Sequence, residues 1–127
     1  MAVVAFDRRD FENLLGRKLK DSDYTEKIPM IGVTTENLSA DSVSFEIFPN
    51  RPDMLSVEGF ARALKAFTGN TKKTTYEAGK LYGDIKVDKS VSLVRPYVAC
   101  AVIRDAKLTD NVLKSLIQFQ EKIHETF

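Results

Sequence analysis

The sequence predicts an α+β fold: a small N-terminal module of three helices and a short sheet, followed by a β-β-α unit. Three observations carry this. Val43, Phe45 and Ile47 alternate with Ser44 and Glu46, the period of a half-buried strand. Directly after it, Leu55, Val57, Phe60, Ala61, Leu64 and Phe67 recur at helical spacing. Further on, two apolar runs, Ile85–Val87 and Val98–Ile103, precede a second amphipathic pattern from Asp110. Strands clustered between helices, without a repeating strand–helix alternation, belong to the α+β class.

Each element has a local reason. Met1–Phe6 is a short apolar run that reads as a strand. Asp7 is the expected N-cap of a first helix, with Phe6 and Phe11 spaced as a hydrophobic staple and Gly16 as the stop. A second short helix is expected from about Ser22, with Tyr24, Ile28 and Ile31 on one side; Pro29 limits it and Gly32 ends it. Val33–Leu38, a turn at Ser39–Asp41 and Ser42–Phe48 form a hairpin pattern. Pro49 and Pro52 push their predecessors out of helical geometry, so the third helix begins no earlier than Asp53, its expected N-cap; Gly69 stops it. Glu58, Arg62 and Lys65 share its outer side as a ladder of opposite charges.

The segment NTKKTTYEAGK, Asn70–Lys80, is polar and aperiodic and reads as linker. The expected organisation is therefore an N-terminal module over 1–69, a linker over 70–83 and a partial, truncated domain over 84–127. In that last part Arg95-Pro96 opens a strand, and Asp110 caps a helix running to about Glu125. Val112, Leu113, Leu116, Ile117, Phe119, Ile123 and Phe127 cover its broad apolar face, with Lys114, Gln118, Glu121 and Glu125 opposite. Two strands and one helix face supply little core, and the amphipathic pattern meets the end of the chain without a cap.

The chain has 127 residues, 43% hydrophobic and 29% charged, as in a water-soluble globular protein. Nineteen basic residues against eighteen acidic leave a net charge of +1, so no bulk attraction to nucleic acid or membrane is expected. No window approaches the length of a membrane span and no secretory leader is visible, which points to the cytoplasm. The single cysteine, Cys100, lies in the apolar run VACAVI and is expected to be a buried, inert thiol.

No catalytic set or metal site emerges: with one histidine, a histidine relay or histidine-based metal site would rest on His124 alone. No glycine-rich phosphate loop is present. Arg51, between two prolines, is a candidate phosphate contact, or else pairs with Asp53 or Glu58 in a locked turn. Arg62 and Lys65 are the other candidate contacts to a phosphate backbone. Gln120 and His124 stand one turn apart within the apolar arc of the last helix. A polar pair buried there needs partners, either structural ones or a substrate.

The sixteen residues PNRPDMLSVEGFARAL resemble a signature near the N-terminus of the beta subunit of phenylalanyl-tRNA synthetase, in its archaeal and eukaryotic form. FDRRDFENLLGRKLKDSDY is similar to that family's opening segment. The run from Ser90 to Phe127 is similar to the start of its editing domain, where arginine-proline opens a strand and a QEK-x-H run closes a helix. Pro29 departs from the family's second helix. The resemblance implies an N-terminal fragment of an aminoacyl-tRNA ligase subunit, structural or interacting in itself and not catalytic alone. It implies an alpha subunit as partner in an (αβ)2 tetramer, tRNA as substrate, and ATP and magnesium in the complete enzyme, with none bound by this fragment. It also implies that the editing domain hydrolyses tyrosine wrongly attached to the tRNA, with Gln120 and His124 as candidates to line that site. The rival reading is a winged-helix-like module that binds tRNA or DNA, against which stands the sparse basic face of the third helix.

Overall fold

The computed structural model describes residues 2–70 and 75–126. Its elements are β1 (Ala2–Asp7), α1 (Arg8–Leu15), β2 (Thr34–Leu38), β3 (Ser42–Ile47), α2 (Val57–Phe67) and α3 (Asp110–Thr126). The chain divides into two units: Met1–Lys72 together with Leu108–Phe127, and Lys73–Lys107.

In the first unit an antiparallel sheet of order β1-β3-β2 puts the hairpin's second strand at the centre. Val4 faces Phe45 and Phe6 faces Val43 across the β1–β3 ladder. Because side chains alternate along a strand, these four, with Ile47, fall on one buried face. β2 pairs with β3 through a bulge between Thr35 and Asn37.

The helices close over that face. Asp7 caps α1, its carboxylate accepting from the Asp10 amide at 2.7 Å, and Gly16 ends it in the left-handed region. The expected staple forms, with the Phe6 and Phe11 rings 5.9 Å apart. The second helix is irregular: a widened turn over Asp23–Lys27 tightens to a 3-10 turn over Ile28–Ile31, and Gly32 ends it. Pro29 supplies the reason, since it has no amide hydrogen to continue a regular ladder. Phe60 of α2 is the keystone of the core. It stacks on Phe45 at 4.6 Å and meets Phe6 and Phe11 edge-on at 5.5 Å each.

The cap of α2 differs from expectation. Pro52–Met54 forms a separate 3-10 turn, and Ser56, not Asp53, caps the helix by accepting from the Gly59 amide at 3.1 Å. The backbone of Asp53 folds back over the first turn so closely that a Cβ at Gly59 would collide with its carbonyl oxygen. Glu58, expected in a ladder with Arg62 and Lys65, accepts from the Ser115 hydroxyl at 2.6 Å.

A second polar feature braces α1. The Glu12 carboxylate accepts from the Tyr24 hydroxyl at 3.1 Å and the Leu19 amide at 3.2 Å, and Arg8 lies alongside at 3.4 Å. Arg8 also donates to Asp21 at 2.7 Å and stacks over the Tyr24 ring at 4.7 Å. Burial, followed by the negative charge of Glu12, raises the Tyr24 hydroxyl far above its ordinary range, so it stays a donor.

In the second unit the described residues form no strand, and the runs at 85–87 and 98–103 carry no regular structure. A strand is held by its ladder, and neither run has a partner strand. Leu93, Tyr97 and Ile103 are exposed, as is Cys100, which corrects the expected buried thiol. A 3-10 turn over Lys89–Val91, with Asp88 accepting from the Ser90 amide at 2.8 Å, is its one regular element among the described residues. Arg104 lies over the Tyr82 ring at 4.5 Å. Of the linker reading, residues 71–74 lie outside the described residues, as does Phe127; residues 75–80 carry no regular structure.

Candidate functional site

α3 carries the candidate site, and how it is held decides what it displays. Ser115 donates to Glu58, and the Gln118 amide donates to the Ala5 carbonyl at 3.1 Å. Ala5 belongs to β1, an outer strand of the sheet, so α3 lies along an edge that would otherwise present free backbone groups. Phe119 is half-buried against the core. Residues 115, 118, 119 and 122 follow one helical side, and this largely polar side is the one that docks.

The apolar arc faces the other way. Leu113, Leu116, Ile117 and Ile123 are exposed, Leu116 at 53% and Ile117 at 57%. Gln120 and His124 rise from this same exposed face, one turn apart. They are therefore not the buried pair that the apolar arc suggested: the helix buries the opposite side. Gln118, expected among the outward polar residues, is instead a tether.

Where α3 meets the module, a crevice of about 210 Å³ is lined by Asp7, Asp10, Asn111, Lys114 and Gln118 among others. Burial, and then the nearby charges of Asp7 and Glu58, push the Asp10 carboxyl above its ordinary value, against a hydrogen bond with Asn111.

The expected phosphate contacts are placed differently. Arg51 is held in a two-pronged pair with Asp53, both nitrogen–oxygen distances 2.9 Å, the locked turn that was its alternative reading. Hydrogen bonding from Arg51 holds the Asp53 carboxyl below its usual range, with smaller help from the charge of Arg62. Asp53 thus offsets part of the positive charge that a phosphate would meet at Arg51 and Arg62. Lys65 lies further along α2 and is half-buried.

Sequence reasoning missed a second gathering of cations. Arg17, Lys18 and Lys27 surround a cleft that also involves Leu64 and Phe67 of α2. Segments some forty residues apart in the chain meet there, so no spacing within either could have signalled it. Among the described residues no group of three or more His, Cys, Asp and Glu could hold a metal ion. No described helix is long and apolar enough to cross a membrane.

No family model matches the sequence. The chain is 41% identical over 99% of its length to the phenylalanine–tRNA ligase beta subunit of Archaeoglobus fulgidus, of which it covers 23%. It is 37% identical over 98% of its length to that of Methanosphaera stadtmanae, of which it covers 22%. The chain therefore spans less than a quarter of the length of these relatives. Its fold matches the crystal structure of an N-terminal fragment of the phenylalanyl-tRNA synthetase beta subunit from Pyrococcus horikoshii. That match has a TM-score of 0.88 and 27% identity, and covers 99% of this chain and 38% of the fragment. With likeness of sequence and of fold running along nearly its whole length, the chain belongs to the phenylalanine–tRNA ligase beta-subunit family, as an N-terminal portion of such a subunit.

Proposed function

We propose that this chain is the structural N-terminal module of a phenylalanine–tRNA ligase and supplies the first helix of its editing domain. The observation that carries this reading is the outward face of α3. Four large apolar residues with two hydrogen-bonding side chains, Gln120 and His124, have the composition of a pocket wall. In the complete enzyme the boundary lies as the sequence suggests, with 1–69 as a module, 70–83 as linker and 84–127 as part of a domain finished by other segments. The unpaired runs at 85–87 and 98–103 gain partner strands there, and the apolar face of α3 becomes one wall of the editing pocket.

The reaction read for that pocket is hydrolysis of tyrosine wrongly esterified to tRNA. Such correction suits a case in which binding alone discriminates too weakly between similar substrates. Gln120 and His124 act there by hydrogen bonding to the mischarged end of the tRNA. The complete ligase pairs this subunit with an alpha subunit in an (αβ)2 assembly, works in the cytoplasm, and uses ATP and magnesium through residues outside this chain. Residues 1–127 alone have no catalytic role in this reading.

The test uses the full-length ligase with Gln120→Ala and His124→Ala. Hydrolysis of tyrosyl-tRNA is expected to slow by at least about tenfold, with phenylalanine attachment unchanged. Unchanged hydrolysis in both variants overturns the assignment of these two residues.

A further inference from the structure

The cleft beside the C-terminal end of α2 has the features of a protein-docking site. It encloses about 350 Å³. Its floor is built from core residues, Leu19, Ile28 and Leu64, all at least nine-tenths buried. Its lips are not: Met30 is 71% exposed and Phe67 51% exposed. Two large apolar side chains held in water beside a preformed apolar floor offer area that a partner could cover. Methionine is unbranched and polarisable, and adapts its shape to an incoming side chain.

Charge selects the partner. Arg17, Lys18 and Lys27 line the cleft against one carboxylate, Asp23, which Lys27 engages at 2.6 Å. Among the described residues Arg17 and Lys18 have no ion-pair partner, and both are exposed. We propose that this cleft docks an acidic amphipathic peptide segment of a partner protein, one that places large apolar side chains between Met30 and Phe67 and carboxylates against Arg17 and Lys18. A nucleic-acid backbone fits less well. It has no aliphatic side chain for a floor of leucine and isoleucine, and Asp23 would face its phosphates.

The probe is a short helix-forming peptide with leucines along one face and glutamates along the other, compared with its counterpart carrying lysines in place of glutamates. Binding to the 127-residue chain is followed by fluorescence anisotropy. The glutamate peptide is expected to bind saturably and at least about tenfold more tightly than the lysine peptide, and to weaken as salt rises. Met30→Asp, Phe67→Ser and the double variant Arg17→Glu/Lys18→Glu should each weaken it by at least about tenfold. All four positions are exposed, and unchanged circular dichroism melts will show that the fold is intact. Equal binding of the two peptides, no saturation, or full affinity in Met30→Asp overturns the proposal. So does displacement of the glutamate peptide by oligouridine, which would mark the cleft as a nucleic-acid surface.

Discussion

α2 and α3 are both amphipathic helices with a well-formed apolar stripe, yet they use it in opposite ways. α2 turns Val57, Phe60, Ala61 and Leu64 into the core, where Phe60 touches three other rings. α3 docks through Ser115, Gln118 and Phe119 and leaves Leu113, Leu116, Ile117 and Ile123 in water. The comparison teaches that a stripe of apolar residues records that a face is to be covered, and not by what. For α2 the cover lies within the same module. For α3 it is supplied, in the reading above, by the rest of an editing domain.

The contrast can be broken at α2 first. Phe60→Ala removes a fully buried ring from the centre of the aromatic cluster. It should destabilise the first unit by about 3–5 kcal/mol, a large fraction of the stability of a module of this size, as read by urea titration. Smaller by far is Asp53→Asn, in the turn before α2. The partner-held carboxylate is 41% exposed, so its loss should cost less than about 1 kcal/mol at neutral pH. The sign of its pH dependence follows from the lowered carboxyl. Its contribution is present above the ordinary aspartate pKa of 3.8 and lost as the pH falls below it through the depressed folded value. Urea midpoints of the wild type and Asp53→Asn should therefore converge in strong acid; a gap that persists there would mean the pair is not its source. The smallest effect is expected on α3. Ile117→Ser changes an exposed position and should move the stability of this chain by no more than about 0.5 kcal/mol. A loss above about 2 kcal/mol would show that the apolar face is already covered, and the contrast between the helices would fail.

Much of the module is legible because its signals are local. Asp7 and Gly16 cap α1 from adjacent residues, and Phe6 and Phe11 form their staple within a single turn. Alternation along Val43, Phe45 and Ile47 sets the buried face of β3. The misreadings share a different character. Asp53 was as good an N-cap as Ser56 by residue type, but Arg51 engages its carboxylate and the helix starts later. Cys100 sits in an apolar run that needs a neighbouring strand to bury it, and none pairs with it here. The spacing of Gln120 and His124 sets them on one face of α3; whether that face is inside or outside does not depend on spacing along the helix.

By itself, the sequence determined that β1, α1, the β2–β3 hairpin, α2 and α3 exist, which residues share a face, and the family to which the chain is akin. These follow from interactions within a turn of helix or a few residues of strand, and from a motif of sixteen residues. Only the tertiary structure decided that α3 lies polar side down along β1, that Glu12 braces Tyr24 and Arg8, and that Arg17, Lys18 and Lys27 encircle an apolar cleft with Met30 and Phe67. Each of these depends on which distant segments meet. That choice is made by the balance of all the surfaces buried together, which no single stretch of chain encodes.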